Sequence, residues 1–236
     1  MAGITNSTFL NKVIPYGFDV ATLGGYNIDE PTINASKQII KRGRAEFYFP
    51  IDEIFNHISN EVSIIKKAHE NVKVSVNLRS TTPDPIIEVS KIDNLDIVEI
   101  NCHCRQDELL AIGCGQNMLK RPDFKEYVSK VVCYADCEVS VKIRANVKGV
   151  DTLNIAKTIE DAGADYLHID AMSPGVNDAD FNLIRKISNE TNIFIIGNNS
   201  LDSRSQIKKM LNSGSSGFSI ARALISGKLD FNILDF

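Results

Sequence analysis

Residues 138–170 read EVSVKIRANVKGVDTLNIAKTIEDAGADYLHID, and their reading decides the fold. Residues 138–143 alternate β-branched with polar side chains, which predicts a strand. Residues 152–162 place Ile155, Ala156, Ile159 and Ala162 at helical spacing, behind Asp151 as N-cap and ahead of Gly163 at the C-cap. Residues 164–170 return to a strand. Strand, helix and strand in this order form a β-α-β unit, whose strands run parallel.

The alternation continues in both directions. Further strands are predicted at 18–23, 72–78, 96–101, 192–197 and 216–220, and helices at 32–41, 51–69, 85–91, 123–135, 178–188 and 203–212. The total is seven strands. A parallel (β/α)8 barrel takes eight strands and about 250 residues, against 236 residues here. The expected fold is therefore α/β, a TIM (β/α)8 barrel lacking most of its first strand, with an open doubly wound sheet as the alternative. No linker, low-complexity segment or longer repeat divides the chain, so one domain over 1–236 is expected.

Composition narrows the function. With 43% hydrophobic and 24% charged residues the chain reads as globular. No apolar run approaches the roughly 20 residues of a membrane span, and residues 1–6 lack the basic and apolar regions of a signal peptide. A cytoplasmic protein with no membrane partner is expected. A net charge of -4 argues against a broad nucleic-acid footprint; Lys37, Lys41, Arg42 and Arg44 are the dense basic cluster. The 5 cysteines are read as reduced thiols.

In parallel barrels the chemistry sits where strands end. The strand ends carry Asn77 and Arg79, then Asn101 to Arg105, Lys142 and Arg144, His168 and Asp170, Gly197 to Ser200, and Ile220 to Arg222. The last two segments suit an anion: small residues let backbone N–H groups approach, and Arg222 can bind phosphate in bidentate fashion. Lys142 lies in an otherwise apolar strand and requires an anion opposite it. Either a flavin's N1/O2 edge or a neighbouring carboxylate such as Glu99 or Asp170 satisfies that requirement. Cys102, His103 and Cys104 lack the spacing of a metal site, so no metal is expected. Both sulfurs of that Cys-x-Cys would point to one side of a continuing strand. Cys133 and Cys137 are read as buried small hydrophobes.

Taken together, the strand ends resemble the tRNA-dihydrouridine synthase family and its archaeal FMN-binding relatives. Asn101, Cys104, Gly113, Gly115, Met118, Leu119 and Pro122 match the family's N-x-G-C-P and G-x-G-x-x-L-x-x-x-P segments. Residues 139–144 match its V-x-V-K-x-R strand, residues 160–165 its E-x-A-G-A-D turn, residues 196–199 and 220–223 its phosphate segments, and residues 1–5 the M-A-G-x-T that closes its first strand. The resemblance implies FMN across the barrel mouth, and NAD(P)H is an electron donor compatible with that chemistry. Met1, Ala2, Asn77, Lys142 and Asp170 would face the ring, and Asn198, Asn199, Ala221 and Arg222 would hold the phosphate. Cys104 would protonate the substrate carbon, with Asn101, His103 and Arg105 as substrate-binding residues.

This sequence departs from the family at particular positions. His103 and Arg105 replace the Gly and Pro around the cysteine, Asp170 and Met172 replace a His and an Arg, and Asn199 and Ala221 replace glycines. Residue 236 comes soon after the last predicted strand, so the family's C-terminal helical tRNA-binding domain is not expected here. The expected function is an FMN-dependent oxidoreductase that exchanges hydride with a C=C bond of a small unsaturated or heterocyclic substrate, in preference to tRNA. The alternatives are a minimal tRNA-dihydrouridine synthase and a barrel that has lost flavin and acts as a binding protein; a homo-oligomer stays open.

Overall fold

The computed structural model describes residues 1–236 apart from Gly227 and Asp230, and of Asp235 only the backbone. Strands β1 (Val20–Asn27), β2 (Lys73–Arg79), β3 (Ile97–Cys102), β4 (Glu138–Arg144), β5 (Tyr166–Asp170), β6 (Phe194–Asn198) and β7 (Gly217–Phe218) form one sheet in chain order. Every neighbouring pair is parallel. Helix α1 (Ser7–Val13) precedes β1, and α2 (Glu30–Lys41) and α3 (Ile51–Ala68) follow it. The later crossovers hold α4 (Asp84–Ser90), α5 (Asp107–Ala111), α6 (Phe124–Tyr134), α7 (Thr152–Asp161), α8 (Phe181–Glu190) and α9 (Arg204–Asn212).

Period-2 alternation sorts the strand residues between two faces. Val74, Val76 and Leu78 of β2, Val98 and Ile100 of β3, and Val139, Val141 and Ile143 of β4 are buried in the hydrophobic core. The helices meet them with apolar stripes, such as Ile54, Ile58, Val62 and Ile65 of α3. Each such fully buried side chain contributes about 1.5–3 kcal/mol. The opposite set, including Ser75, Asn77, Glu99, Asn101, Ser140, Lys142, His168 and Asn198, lines a single cavity. Gly24 of β1 and Phe218 of β7 line it too, so all seven strands surround one space. The sheet is therefore curled as a barrel, and the open doubly wound alternative is excluded.

The shortage expected from the strand count lies between β1 and β7, which are not paired to one another among the described residues. Thr5 makes one antiparallel bridge to Gly24 on the free side of β1. Apolar side chains occupy the rest of the gap. Leu10, Val13, Ile233 and Phe236 line the cavity there, and Leu234 packs so close to Gly17 that a Cβ at 17 would lie 2.8 Å from its Cγ. Phe236 also stacks edge-on against Phe218 at 5.8 Å. Helix α1 is fixed by the buried Glu61 of α3, whose carboxylate accepts from the Ser7 backbone N–H at 2.5 Å and from its hydroxyl at 3.1 Å.

Three expectations need correction. Strand β1 continues through Gly24 and Gly25, which read as a stop, to Asn27. Helices α1 and α5 escape prediction because seven and five residues are too few to show a period. Cys133 is exposed and Cys137 half-buried, since α6 buries the stripe Phe124, Tyr127, Val128 and Val131, and residue 133 falls off it. Among the described residues no helix is long and apolar enough to cross a membrane.

Candidate active site

The cavity has a volume of about 1610 Å3 and runs the length of the barrel, from Lys73 and Phe194 at the amino ends of the strands to a mouth at their carboxyl ends, where Arg79, Arg144 and Asn198 line it. Below that mouth a chain of hydrogen bonds joins strands β2, β3 and β5 to the residue that follows β7. The Asn101 amide donates to Asn77 at 2.7 Å, and Asn77 donates to Glu99 at 2.7 Å. Glu99 meets His168 Nδ1 at 2.6 Å, and His168 Nε2 meets Ser219 Oγ at 2.7 Å. Ser140 adds a hydroxyl to Glu99 at 3.2 Å. Burial opposes ionisation of Glu99, but His168, Lys142 and the Asn77 hydrogen bond overcome it and hold the carboxyl well below its usual range. Burial, then the Lys142 charge, lowers His168. With the proton on Nδ1, the neutral His168 ring donates to the carboxylate and its Nε2 accepts from Ser219.

Cys104 lies just beyond the end of β3, buried, with its backbone N–H bonded to the Asn101 side chain at 3.2 Å. The Arg79 guanidinium donates to Asn27 at 3.3 Å, and its pKa responds to the Cys104 thiol nearby. Arg79 also pairs with Glu46, and the side chains of this ion pair are 2% and 0% exposed. Burial works against the Arg79 charge, while Cys104 and Glu46 hold its pKa above the ordinary value. Gly115 allows the turn that follows: its φ is +60°, and a Cβ there would sit 2.3 Å from the Cys104 carbonyl oxygen. Cys102 faces the core, where its sulfur lies 3.8 Å from that of Met118, whereas Cys104 lines the cavity. The expected same-side pair fails because the strand ends at Cys102.

Lys142 lines the cavity beside His168, its partner in the β4–β5 register. It has no hydrogen bond or ion pair among the described residues. Neither carboxylate considered for it bonds it directly: Glu99 is hydrogen-bonded to His168 at 2.6 Å, though it feels the Lys142 charge, and Asp170 pairs with Arg144 at 2.8 Å. His103 has a buried Nδ1 without a partner. Its pKa is held well below the ordinary value by burial, Lys142 and Arg144. Among the described residues no group of three or more His, Cys, Asp or Glu side chains could hold a metal ion.

On the far side of the mouth, Asn198 donates to the Ser219 carbonyl at 2.7 Å, tying the β6 loop to the β7 loop. Asn199 and Ser200 take left-handed backbone, at φ 108° and 51°. Arg222 lines the cavity with no partner among the described residues. Met1, Ala2, Asn77, Asn101, His103, Arg105, Asp170 and Ala221 also line it. All the residues expected at a site therefore surround one space. Ser219 was missed as a member of it, as was Glu46, which pairs with Arg79 behind the wall, and Glu99 and His168 were named at the strands without a role in the site. The polar face of β3 and β5 hinted at Glu99 and His168, but nothing local marked Glu46 or Ser219.

The model of the dihydrouridine synthase (Dus) family matches residues 51–227. The chain belongs to the dihydrouridine synthase family. This family member is 37% identical over 242 residues to an uncharacterized protein of Methanocaldococcus jannaschii, covering 98% of the chain and 89% of that relative. It is 21% identical to tRNA-dihydrouridine synthase B of Vibrio vulnificus, covering 89% of the chain and 61% of that enzyme. It is 29% identical to the catalytic subunit of dihydroorotate dehydrogenase B (NAD(+)) of Brachyspira hyodysenteriae, covering 64% of the chain and 52% of the subunit. FabK from Thermotoga maritima shares the fold at a TM-score of 0.61 and 13% identity, covering 96% of the chain and 57% of FabK. The dihydrouridine synthase family member thus spans only part of the named enzymes it resembles.

Proposed function

We propose that the chain is an FMN-dependent oxidoreductase acting on a polarised C=C bond of a small unsaturated or heterocyclic substrate, with its site built from one domain over 1–236. The observation that carries this reading is Lys142, a cation in the cavity wall whose candidate carboxylates are both bonded to other side chains. A cation so placed suits a ligand that brings its own negative charge.

The remaining residues fit the same group. Arg222 and the β6 and β7 loops, joined through Asn198, would hold a phosphate. Asn199 already adopts the left-handed turn for which glycine is the usual choice. The Asp170 charge, which would repel an anionic ring, is matched by Arg144 at 2.8 Å. Bound FMN would supply hydride exchange with the substrate. Cys104 would hold the proton at its thiol, Arg79 and Asn101 would fix that loop, and Asn77, Met1 and Ala2 would line the ring's site.

The test is FMN titration of the purified protein, followed by absorbance and fluorescence. Saturable binding that weakens in Lys142→Met supports the reading, whereas protein that is colourless and takes up no FMN overturns it. With FMN bound, Cys104→Ala should abolish substrate turnover while flavin binding persists. A second reading, a minimal tRNA-dihydrouridine synthase, draws on the exposed Lys37, Lys41, Arg42 and Arg44. It requires tRNA binding that falls steeply with salt.

A further inference from the structure

We infer that Arg44 and Arg105 form a second anion site at the cavity mouth, which receives a carboxylate or phosphate carried by the substrate. The inference rests on the oxidoreductase reading, because Lys142 and Arg222 are there assigned to the flavin, which leaves Arg44 unassigned and Arg105 free to meet the substrate.

Both arginines line the main cavity, and both line a side cavity of about 480 Å3 that opens beside it. Neither side chain has a hydrogen bond or ion pair among the described residues, whereas the adjoining Arg42 is tied to Glu108 at 3.0 Å. Their backbones adjoin buried anchors. Arg44 stands two residues before Glu46, which pairs with Arg79, and Arg105 directly follows Cys104, whose backbone N–H is bonded to the Asn101 side chain at 3.2 Å. Two long side chains with fixed roots and no partner lose less freedom on meeting an anion than two on mobile loops. Gln106 completes the wall. Its side-chain oxygen is buried without a partner and the residue is 8% exposed, so no protein bond stops its amide from turning an N–H toward an anion.

Charge supports the same conclusion. In a chain with a formal net charge of -4, this mouth gathers unpaired cations, while the nearby carboxylates of Glu46, Glu108 and Asp170 are each paired. Arg105 adjoins Cys104, so the anion would lie near the substrate atom that receives the proton. A guanidinium pair matches the oxygens of a carboxylate or a phosphate equally well.

The test uses the full chain saturated with FMN, so that the phosphate site at Arg222 is filled. Pyrophosphate and malonate are titrated separately by calorimetry into the wild type, Arg44→Ala, Arg105→Ala and Arg105→Lys. Saturable binding of one anion, weakened about tenfold or more by each alanine and partly restored by lysine, is the expected result. Preference for pyrophosphate assigns a phosphate-bearing substrate, and preference for malonate a carboxylate-bearing one. Wild-type protein that binds neither anion, or alanine variants that bind as the wild type does, would overturn the site. If FMN itself does not bind, the oxidoreductase reading fails, and the same titrations on the flavin-free chain still decide the arginine site.

Discussion

His168 of β5 and Glu99 of β3 reach past β4 to meet at 2.6 Å, each almost wholly buried. This pair is the centre of the hydrogen-bonded chain from Asn101 to Ser219. His168→Ala would remove one donor from a buried carboxylate and the acceptor from Ser219. The expected cost is roughly 1–3 kcal/mol, as for other buried groups left without partners. Urea unfolding measures it, and a midpoint equal to wild type would show that the network contributes nothing to stability.

The histidines also set an acid limit. Burial lowers His103 and His168 in the folded protein, so as pH falls the unfolded chain, near its ordinary 6.5, takes up protons first. Their contribution is fully present above pH 6.5 and is lost progressively below it. Glu99, lowered from its ordinary 4.5, adds a further loss below that pH. Denaturation midpoints at pH 7.5, 6 and 5 should fall in that order, with a shallower fall in His103→Asn. Stability that rises on acidification over this range would contradict the neutral assignment.

Glu46 comes from the connection between α2 and α3, yet its carboxylate is buried against Arg79. Glu46→Gln leaves the guanidinium buried without its counter-charge, at a cost of about 3–5 kcal/mol. The same change loosens the segment carrying Arg44, which lines the cavity together with Cys104. Thiol labelling followed by peptide mapping should show Cys104 reacting faster in the variant than in wild type, and equal rates would mean that the pair does not shield the thiol.

Gly115→Ala places a methyl 2.3 Å from the Cys104 carbonyl at a φ of +60°. Left-handed backbone alone costs a side chain about 1 kcal/mol, and the clash adds to it. The loop carrying Cys104 must move, so thermal stability and substrate turnover should fall together. A fully active variant would place the proton donor elsewhere.

Arg222→Ala tests the phosphate end of the cavity. Losing a charge-assisted bond should weaken FMN binding about tenfold or more. Fluorescence titration reads this directly, and an unchanged affinity would move the phosphate away from the β7 loop.

Much of this was legible along the chain. The residues 138–170 are one β-α-β unit as read, with β4 and β5 paired in parallel and Asp151 capping α7 through the Leu153 and Asn154 backbone N–H groups. Lys142, Cys104 and Arg222 were recognisable because each breaks an otherwise apolar or small-residue context at a strand end. Local patterning and family motifs fix such features, since a strand's two-residue period and a helix cap act over a few residues.

Other features were decided only when distant segments met. The sequence by itself determined the parallel β/α order, the polar inner face and the position of the cysteine. The tertiary structure decided which charges meet: Asp170 takes Arg144, Glu99 takes His168, and Glu46 crosses to Arg79, so that Lys142 is left facing the cavity. Charge pairing depends on distances between segments 26 to 69 positions apart, which no local pattern encodes. The gap between β1 and β7 is likewise filled by α1 and the residues around Leu234, because an apolar edge is satisfied by whatever chain the closed barrel brings to it.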